Sequence, residues 1–267
     1  MRLTRVYVAA PVSAGKRVVV EGSAANHIAR VLRLRSGDAL TVFDGSGGEF
    51  GARIEEFRKE AVVVAVEEHR PLDRESPLPL TLVQGISRGE RMDWIIQKAT
   101  ELGASRIAPV FTKRSVVRLD EKQAERKLQH WRAITVAACE QCGRNRIPDL
   151  AAPVDFFDML AGDSSGRPDS ARGPDSVGRP DPTAHSDSAG STRLLLSPTG
   201  DLRIDDLQDV GKGITVLIGP EGGLEDVEQE AAITAGFKAV RLGPRVLRTE
   251  TAAIAALTII QRYFGDL

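Results

Sequence analysis

The chain has 267 residues, 42% of them hydrophobic and 27% charged, which is the composition of an ordinary globular protein long enough for two domains. No apolar run approaches the roughly 20 residues of a membrane helix, and no signal peptide precedes the first strand, so no membrane association is expected. Two cysteines cannot build a disulfide framework, which predicts a cytoplasmic protein.

Charge is unevenly distributed along the chain. The formal net charge is −1, but residues 1–150 carry a net +6 and residues 151–267 a net −7. Such asymmetry is found in proteins that bind a polyanion through one part of their surface. A solvated surface with an acidic linker produces the same split, so charge alone leaves both interpretations open.

Short β-branched runs separated by turn residues predict a small β-barrel-like domain at the start of the chain. Its strands are expected at residues 18–20, 39–43 and 61–66. A more helical stretch at 25–34 separates the first two, and three basic side chains lie at its end: Arg30, Arg33 and Arg35. Prolines at 71, 77 and 79 predict a linker out of this domain.

From residue 80 onward, predicted strands alternate with predicted helices. The strands are expected at 80–86, 107–111, 193–196, 214–218 and 239–242. The helices are expected from an N-cap at Ser87 to a stop at Gly103, and at 120–139, 224–235 and 249–263. This alternation predicts an α/β domain with a mostly parallel sheet. Capping boxes are expected at Ser87 with Glu90 and at Asp120 with Gln123, because each pair has the required spacing of three.

Residues 162–192 interrupt the alternation. They are rich in Gly, Ser, Pro, Asp and Arg, and they contain a loose Gly-Arg-Pro-Asp repeat. A segment of this composition cannot bury enough apolar surface to offset its ordering entropy. It is therefore interpreted as a disordered insertion within the α/β domain.

The segment 139–146 contains two motifs with more than one interpretation. Cys139 and Cys142 form a C-x-x-C, but no second pair or suitably spaced histidine completes a zinc site, so packing is favoured and no metal is expected. Arg144 and Arg146 follow on a glycine turn. They could hold phosphates or base edges, or simply form a solvated helix end.

Three glycine-proline turns at predicted strand ends indicate a ligand pocket. They lie at 196–200, 219–223 and 242–248. Loops at the carboxyl ends of parallel strands are where α/β proteins bind ligands. Since the loop at 219–223 lacks the lysine of a P-loop, an adenosine group read by backbone atoms is expected. Thr249 is predicted to N-cap the following helix, whose residues are almost wholly apolar.

Together these motifs closely resemble the RsmE-type 16S ribosomal RNA (uracil-N3)-methyltransferases of the SPOUT superfamily. The matching stretches occur in order over both predicted domains, at 26–33, 87–92, 138–146, 218–223 and 242–252. The first pocket loop departs from the family pattern, because Ser197-Pro198 takes the place where a His-Pro pair is common.

The resemblance implies a PUA-like RNA-binding β-barrel at residues 1–72 and a knotted SPOUT methyltransferase domain of α/β class at residues 73–267. It further implies S-adenosylmethionine as cofactor, 16S ribosomal RNA of the small ribosomal subunit as partner, and a homodimer. RNA contacts are expected from Arg30, Arg33, Arg35, Arg144 and Arg146. The expected cofactor-binding residues are Leu196, Ser197, Pro198, Gly200, Ile218, Gly219, Pro220, Glu221, Gly222, Gly223, Leu242, Gly243, Leu247, Arg248 and Thr249.

Uracil N3 is a poor nucleophile until its proton leaves, so the site needs a proton acceptor and a group that stabilises the resulting charge. Arg248 and Glu250 are the catalytic candidates for these tasks, although the two could instead pair and only hold the loop. Two other functions also remain open on the residues alone: a non-catalytic RNA-binding module, and a nucleotide-dependent oxidoreductase.

Overall fold

The computed structural model describes residues 4–115, 120–162 and 190–267. These residues form two compact units. The first comprises the described residues up to Glu75 together with Ala133–Pro148, and the second comprises the rest. The predicted insertion at 162–192 falls largely on residues 163–189, which lie outside the described residues.

The first unit is built on a five-stranded sheet. Its strands are β1 (Arg5–Tyr7), β2 (Arg17–Glu21), β3 (Ala39–Phe43), β4 (Glu49–Phe57) and β5 (Ala61–Arg70). They run in the order β1-β3-β4-β5-β2, and every pair except β1 with β3 is antiparallel. One cluster of buried apolar side chains fills this unit, and Val6, Leu40 and Val64 lie in it fully buried. The sequence predicted β2, β3 and β5 and missed the other two strands.

The connection between β2 and β3 combines two helical geometries. A short α-helix, α1 (Gly22–Asn26), continues directly into a π-helical turn over His27–Val31. The chain then reverses at Arg33, whose φ of 53° lies in the left-handed region. Among the described residues, Arg33 is the one non-glycine with a positive φ. This turn buries Ile28 in the core and leaves Arg30 exposed.

The second unit is built on a parallel sheet flanked by helices. Its strands are β6 (Leu80–Gly85), β7 (Arg106–Phe111), β8 (Asp149–Leu150), β9 (Val154–Asp155), β10 (Thr192–Leu196), β11 (Leu202–Arg203), β12 (Ile214–Ile218) and β13 (Lys238–Arg241). The helices along the rest of the chain are α2 (Glu90–Glu101), α3 (Glu121–Cys142), α4 (Phe156–Gly162), α5 (Asp226–Thr234) and α6 (Thr249–Phe264). The part of α3 from Ala133 onward belongs to the first unit.

The strand order in this sheet is β11-β13-β10-β12-β6-β7-β8, with β9 also paired to β7. Each of these pairs is parallel, and all five residues of β12 are buried, as expected for a central strand covered on both faces. The predicted fold class, a parallel α/β domain with a smaller N-terminal β-domain, is confirmed.

The predicted helix caps had different outcomes. The box at Asp120 and Gln123 is present, since the Gln123 N–H donates to the Asp120 carboxylate at 2.8 Å and the Asp120 N–H to the Gln123 side chain at 3.3 Å. The box at Ser87 was wrong: α2 begins after Gly89, and the buried Ser87 hydroxyl lies 3.4 Å from the Gly85 carbonyl instead. The cap at Thr249 was also wrong, because that residue is already the first of α6.

Over the ranges that the structure describes, no helix is both long and apolar enough to cross a membrane.

Candidate active site

The second unit contains a cavity of about 620 Å³ at the carboxyl ends of three neighbouring strands. Strand β10 lies between β12 and β13, and the loops that follow these three strands form most of the cavity wall. Because the strands are parallel, their loops leave the sheet at the same edge and converge there. The volume lies within the roughly 300–1,000 Å³ typical of small-molecule sites.

Fourteen of the fifteen residues expected to bind the cofactor line this cavity. They are Leu196, Ser197, Pro198, Ile218, Gly219, Pro220, Glu221, Gly222, Gly223, Leu242, Gly243, Leu247, Arg248 and Thr249. Gly200 does not line it. A Cβ atom on Gly200 would lie 2.7 Å from the Val240 carbonyl carbon, so this glycine allows close packing against β13. The two catalytic candidates, Arg248 and Glu250, also line the cavity.

The loop after β12 is shaped by close backbone approaches. A Cβ atom on Gly85, at the end of β6, would lie 2.5 Å from Cδ of Pro220, so a side chain at that position would displace the loop. The Gly223 N–H donates to the Pro220 carbonyl at 2.9 Å and closes a tight turn, with Gly223 at a φ of 69°. Glycine is required at both positions for different reasons, space at the first and conformation at the second.

A buried glutamine in β6 connects the loop after β12 with the start of α6. Gln84, in β6, is fully buried, and its Nε2 lies 3.1 Å from Oγ1 of Thr249 and 3.3 Å from the Gly219 carbonyl. The Thr249 hydroxyl in turn donates to the Gly219 carbonyl at 2.7 Å. This network ties the start of α6 to the loop after β12, and it explains why the Thr249 side chain does not cap its own helix.

Arg91 lies between two carboxylates of the cavity wall. Its Nη1 donates to Oε1 of Glu221 at 2.9 Å, and its Nε lies 3.8 Å from Oε1 of Glu250. Burial opposes ionisation of Glu221, but backbone N–H donors, including that of Arg88, and the Arg91 guanidinium hold its pKa below the usual value.

The second carboxylate oxygen of Glu250 has a different environment. Its Oε2 is buried and has no hydrogen-bond partner, although the side chain lines the cavity. The pairing of Arg248 with Glu250, considered as an alternative from the sequence, is not formed between these two described residues; the ion-pair partner of Glu250 is Arg91. A buried acceptor without a donor is costly, so this atom is suited to a polar group of a ligand.

The arginines predicted to bind RNA all lie in the first unit, but only some are exposed. Arg30, Arg33 and Arg35 are exposed. Arg144 is only 5% exposed, and its Nε donates to the Glu75 carboxylate at 2.8 Å. It is therefore not available to a phosphate in this structure. Arg146 is half-buried, with its guanidinium against Gly47.

A network of charged side chains around the buried Glu49 explains the position of the turn that carries Arg144. Arg5 pairs with Glu49, and Arg5 Nη2 donates to the Asn145 side chain at 2.6 Å. Arg74 donates to the same Glu49 carboxylate at 3.1 Å and to the Gly143 carbonyl at 3.0 Å. Burial alone would raise the pKa of Glu49, but these two arginines reverse the effect and lower it. The network holds the turn on the sheet of the first unit.

The C-x-x-C motif lies in the last turn of α3. Cys139 is fully buried, and burial raises the pKa of its thiol to about 12. A thiol that stays protonated is neither a metal ligand nor a redox nucleophile. Among the described residues, no three His, Cys, Asp or Glu side chains are grouped so that they could hold a metal ion. The geometry therefore supports the packing interpretation.

Comparison with known proteins identifies the family. The RNA methyltransferase domain matches residues 74–261, and the RNA methyltransferase PUA domain matches residues 20–67. Ribosomal RNA small subunit methyltransferase E of Buchnera aphidicola is 31% identical over 266 residues, covering 100% of this chain and 98% of that protein. The chain belongs to this family of RNA methyltransferases.

Solved relatives agree over the full length. A methyltransferase from Legionella pneumophila, determined in complex with S-adenosylmethionine, is 36% identical with a TM-score of 0.87, and the match covers 100% of both chains. Ribosomal RNA small subunit methyltransferase E from Neisseria gonorrhoeae, also bound to S-adenosylmethionine, is 33% identical with a TM-score of 0.83 and the same coverage.

Several site residues of this RNA methyltransferase were missed from the sequence. Gln84, Arg91, Arg114 and Gln229 belong to the cavity wall or its support, and none was expected there. Gln84 had a detectable signal, because a long amide side chain inside an otherwise buried strand needs internal partners. Arg91 lies in the stretch 87–92 that resembles the family, but its position in the cavity wall was not expected. Arg114 had no local signal.

Proposed function

We propose that this chain transfers a methyl group from S-adenosylmethionine to N3 of a uridine in 16S ribosomal RNA of the small ribosomal subunit. The observation that carries the proposal is the cavity formed by three strand-end loops inside the region that matches the RNA methyltransferase domain. The two solved relatives bound to S-adenosylmethionine support the choice of cofactor.

The residues of the cavity suit this cofactor. Apolar side chains, among them Leu196, Ile218 and Leu247, can cover an adenine ring, and the loop after β12 offers backbone groups to its edge. When bound, S-adenosylmethionine supplies an electrophilic methyl group on a sulfonium centre.

The protein must deprotonate or orient uracil N3 and stabilise the charge that spreads to the flanking carbonyls. Glu250 is proposed as the acceptor, through its Oε2, while Arg91 binds the opposite oxygen. Arg248, exposed on the cavity wall, is proposed to stabilise the charge on the uracil oxygens. The Glu250 carboxylate thus has one oxygen near the Arg91 guanidinium and one buried oxygen without a hydrogen-bond partner.

The two parts of the chain are assigned different tasks. Residues 1–72 are proposed as the PUA-like RNA-binding domain, with the exposed Arg30, Arg33 and Arg35 contacting phosphates, and residues 73–267 as the methyltransferase domain. A reducing cytoplasm, where ribosomal subunits are assembled, is the proposed location.

A homodimer is proposed through α6. Ile254, Ala255 and Ile259 lie on one face of this helix and are only partly covered within the described chain. A second copy would bury this face. Light scattering during size-exclusion chromatography tests the proposal, and a monomer at micromolar concentration would contradict it.

The deciding experiment measures methylated nucleosides in 16S RNA by mass spectrometry, after incubating purified protein with the RNA or small subunits and S-adenosylmethionine. We expect one 3-methyluridine per molecule with the wild type and roughly 100-fold slower transfer with Glu250→Gln, since a positioned acceptor contributes about that factor or more. Glu230→Gln, which alters an exposed carboxylate on α5 away from the cavity, is the matched control.

Calorimetric titration separates the possible failures. Glu250→Gln should bind S-adenosylmethionine as the wild type does, which would place its defect in the chemical step. Binding of NAD in place of S-adenosylmethionine would support an oxidoreductase, and RNA binding without cofactor binding would support a non-catalytic module. Unmethylated RNA in every assay with the wild-type protein would overturn the proposed function.

A further inference from the structure

The cavity of the second unit is positively charged at its mouth. Four arginines and two glutamates line it, a net charge of +2, and its lining includes no lysine, histidine or aspartate among the residues that the structure describes. Arg91 lies close to both glutamates and balances one of their two negative charges. Arg114, Arg245 and Arg248 are exposed and form no ion pair within the described residues.

This charge does not match what S-adenosylmethionine needs. The cofactor carries a sulfonium and an ammonium group against a single carboxylate, so one arginine at most is required to bind it. The positive charge of the cavity lining contrasts with that of the sequence around it, because residues 151–267 carry a net charge of −7. Exposed, uncompensated arginines around a cavity are instead suited to phosphate groups.

Hydrogen bonds hold the turn that carries Arg114 in place. Glu228, fully buried in α5, accepts the Lys113 N–H at 2.8 Å, and the Thr112 N–H donates to the Ser115 hydroxyl at 3.1 Å. Arg114 Nη1 donates to the Gly222 carbonyl at 3.1 Å. One of the five N–H groups of the Arg114 guanidinium thus fixes the orientation of this side chain at the rim of the cavity. The other N–H groups can donate to an acceptor on a ligand.

Arg245 approaches the same cavity from the loop after β13. It is exposed, and its neighbour Val246 is 79% exposed, so this part of the loop projects from the surface. Arg114 and Arg245 therefore reach the rim from two different loops. A base whose N3 enters the cavity must leave its stack, which brings the phosphates on its two sides close to the rim.

We propose that Arg114 and Arg245 bind the RNA phosphates that flank the target uridine. This inference rests on the proposed function and extends it, because neither residue was assigned a role there. Each contact contributes to the binding of the RNA strand and not to the binding of the cofactor.

The test uses the full chain with Arg114→Gln, Arg245→Gln and the double variant. We expect KM for the RNA to rise about tenfold for each variant, as for a lost charged hydrogen bond, with the Kd for S-adenosylmethionine unchanged. Because each phosphate contact releases counterions, the slope of log KM against log salt should fall by about 0.7 per arginine removed, the value for a single strand. Arg114→Lys keeps the charge and should retain most of that slope.

Lys238→Gln is the matched control, because it removes one exposed positive charge at the amino end of β13, the opposite edge of the same sheet. Wild-type kinetics are expected there. Weaker cofactor binding in the arginine variants with an unchanged KM for RNA would overturn the inference and assign these residues to the cofactor carboxylate. Unchanged values throughout, with the wild type methylating RNA, would overturn the inference alone. An inert wild type would overturn both it and the proposed function.

Discussion

The hydroxyl of Thr249 donates to the Gly219 carbonyl at 2.7 Å and also lies 3.1 Å from Nε2 of the buried Gln84. One side chain at the start of α6 therefore holds the loop after β12 against the strand below it. This contact joins two of the loops that form the cavity wall.

We expect Thr249→Val to weaken S-adenosylmethionine binding about tenfold. The change keeps the side-chain shape but leaves the Gly219 carbonyl without its hydroxyl donor, at a cost of about 1–3 kcal/mol. Calorimetry measures the affinity and thermal unfolding the stability. Thr234→Val is the control, since its exposed hydroxyl donates to the Glu230 carbonyl within α5 at 2.9 Å. Wild-type affinity in both variants would contradict the role of Thr249.

Glu49 should make folding of the first unit sensitive to acid. Burial raises its pKa, but Arg74 and Arg5 outweigh that effect, so the pKa in the folded protein lies below the usual 4.5. A lowered carboxylate pKa contributes stability that is present above the unfolded value and is lost as the pH falls through the folded value. Glu49→Gln should therefore cost roughly 3 kcal/mol at pH 7, with the difference from wild type shrinking below pH 4.5.

Urea unfolding at several pH values measures this effect. Glu67→Gln is the matched change, because its ion pair with Arg53 is about half exposed and should contribute less than about 1 kcal/mol. Equal losses of stability in the two variants, or a Glu49→Gln deficit that does not change with pH, would show that the buried network contributes nothing specific.

Substitutions at Arg33 separate its effect on backbone strain from its effect on RNA binding. Its φ of 53° costs about 1–2 kcal/mol for a residue with a Cβ, and glycine avoids that cost. We expect the free energy of unfolding of Arg33→Gly, measured with denaturant, to exceed that of Arg33→Ala by about 1 kcal/mol. Both variants should lose RNA affinity equally. If the glycine variant bound RNA as the wild type does, the exposed guanidinium would have no role in recognition.

Cys139 and Cys142 should differ in reactivity. The thiolate is the reactive form, and burial raises the pKa of Cys139 to about 12, whereas Cys142 is partly exposed. We expect iodoacetamide at pH 8 to modify Cys142 in the folded protein and to reach Cys139 only in urea. Peptide mass spectrometry distinguishes the two sites. Equal rates before unfolding would show that the last turn of α3 opens readily.

How much the sequence revealed depended on whether a feature is local. The capping box of Asp120 and Gln123 is formed by neighbours along the chain, and it was predicted correctly. Ser87 and Glu90 have the same spacing, but Ser87 lies at the end of a buried strand, and Gly89 with its positive φ starts the helix later. Tertiary structure overrode an identical local pattern.

The cavity shows the same limit. Strand-end glycines predicted its loops because neighbouring parallel strands place their loops together whatever the details. The contacts of Arg91 with Glu221 and of Arg114 with Gly222 join residues more than a hundred positions apart. Arg144 has a basic side chain on a turn, like an RNA-binding residue, yet it is buried against Glu75. Such partners follow only from the folded chain.

The order of the three loops along the chain has a consequence for protein synthesis. The part of the cavity wall that comes last in the sequence is formed by the loop after β13 and the start of α6. It includes Thr249, which fixes the loop after β12. During synthesis, most strands of the parallel sheet are therefore made before the residues that complete the cofactor cavity. Premature stop codons before this point should therefore yield products that retain the first unit but do not bind the cofactor.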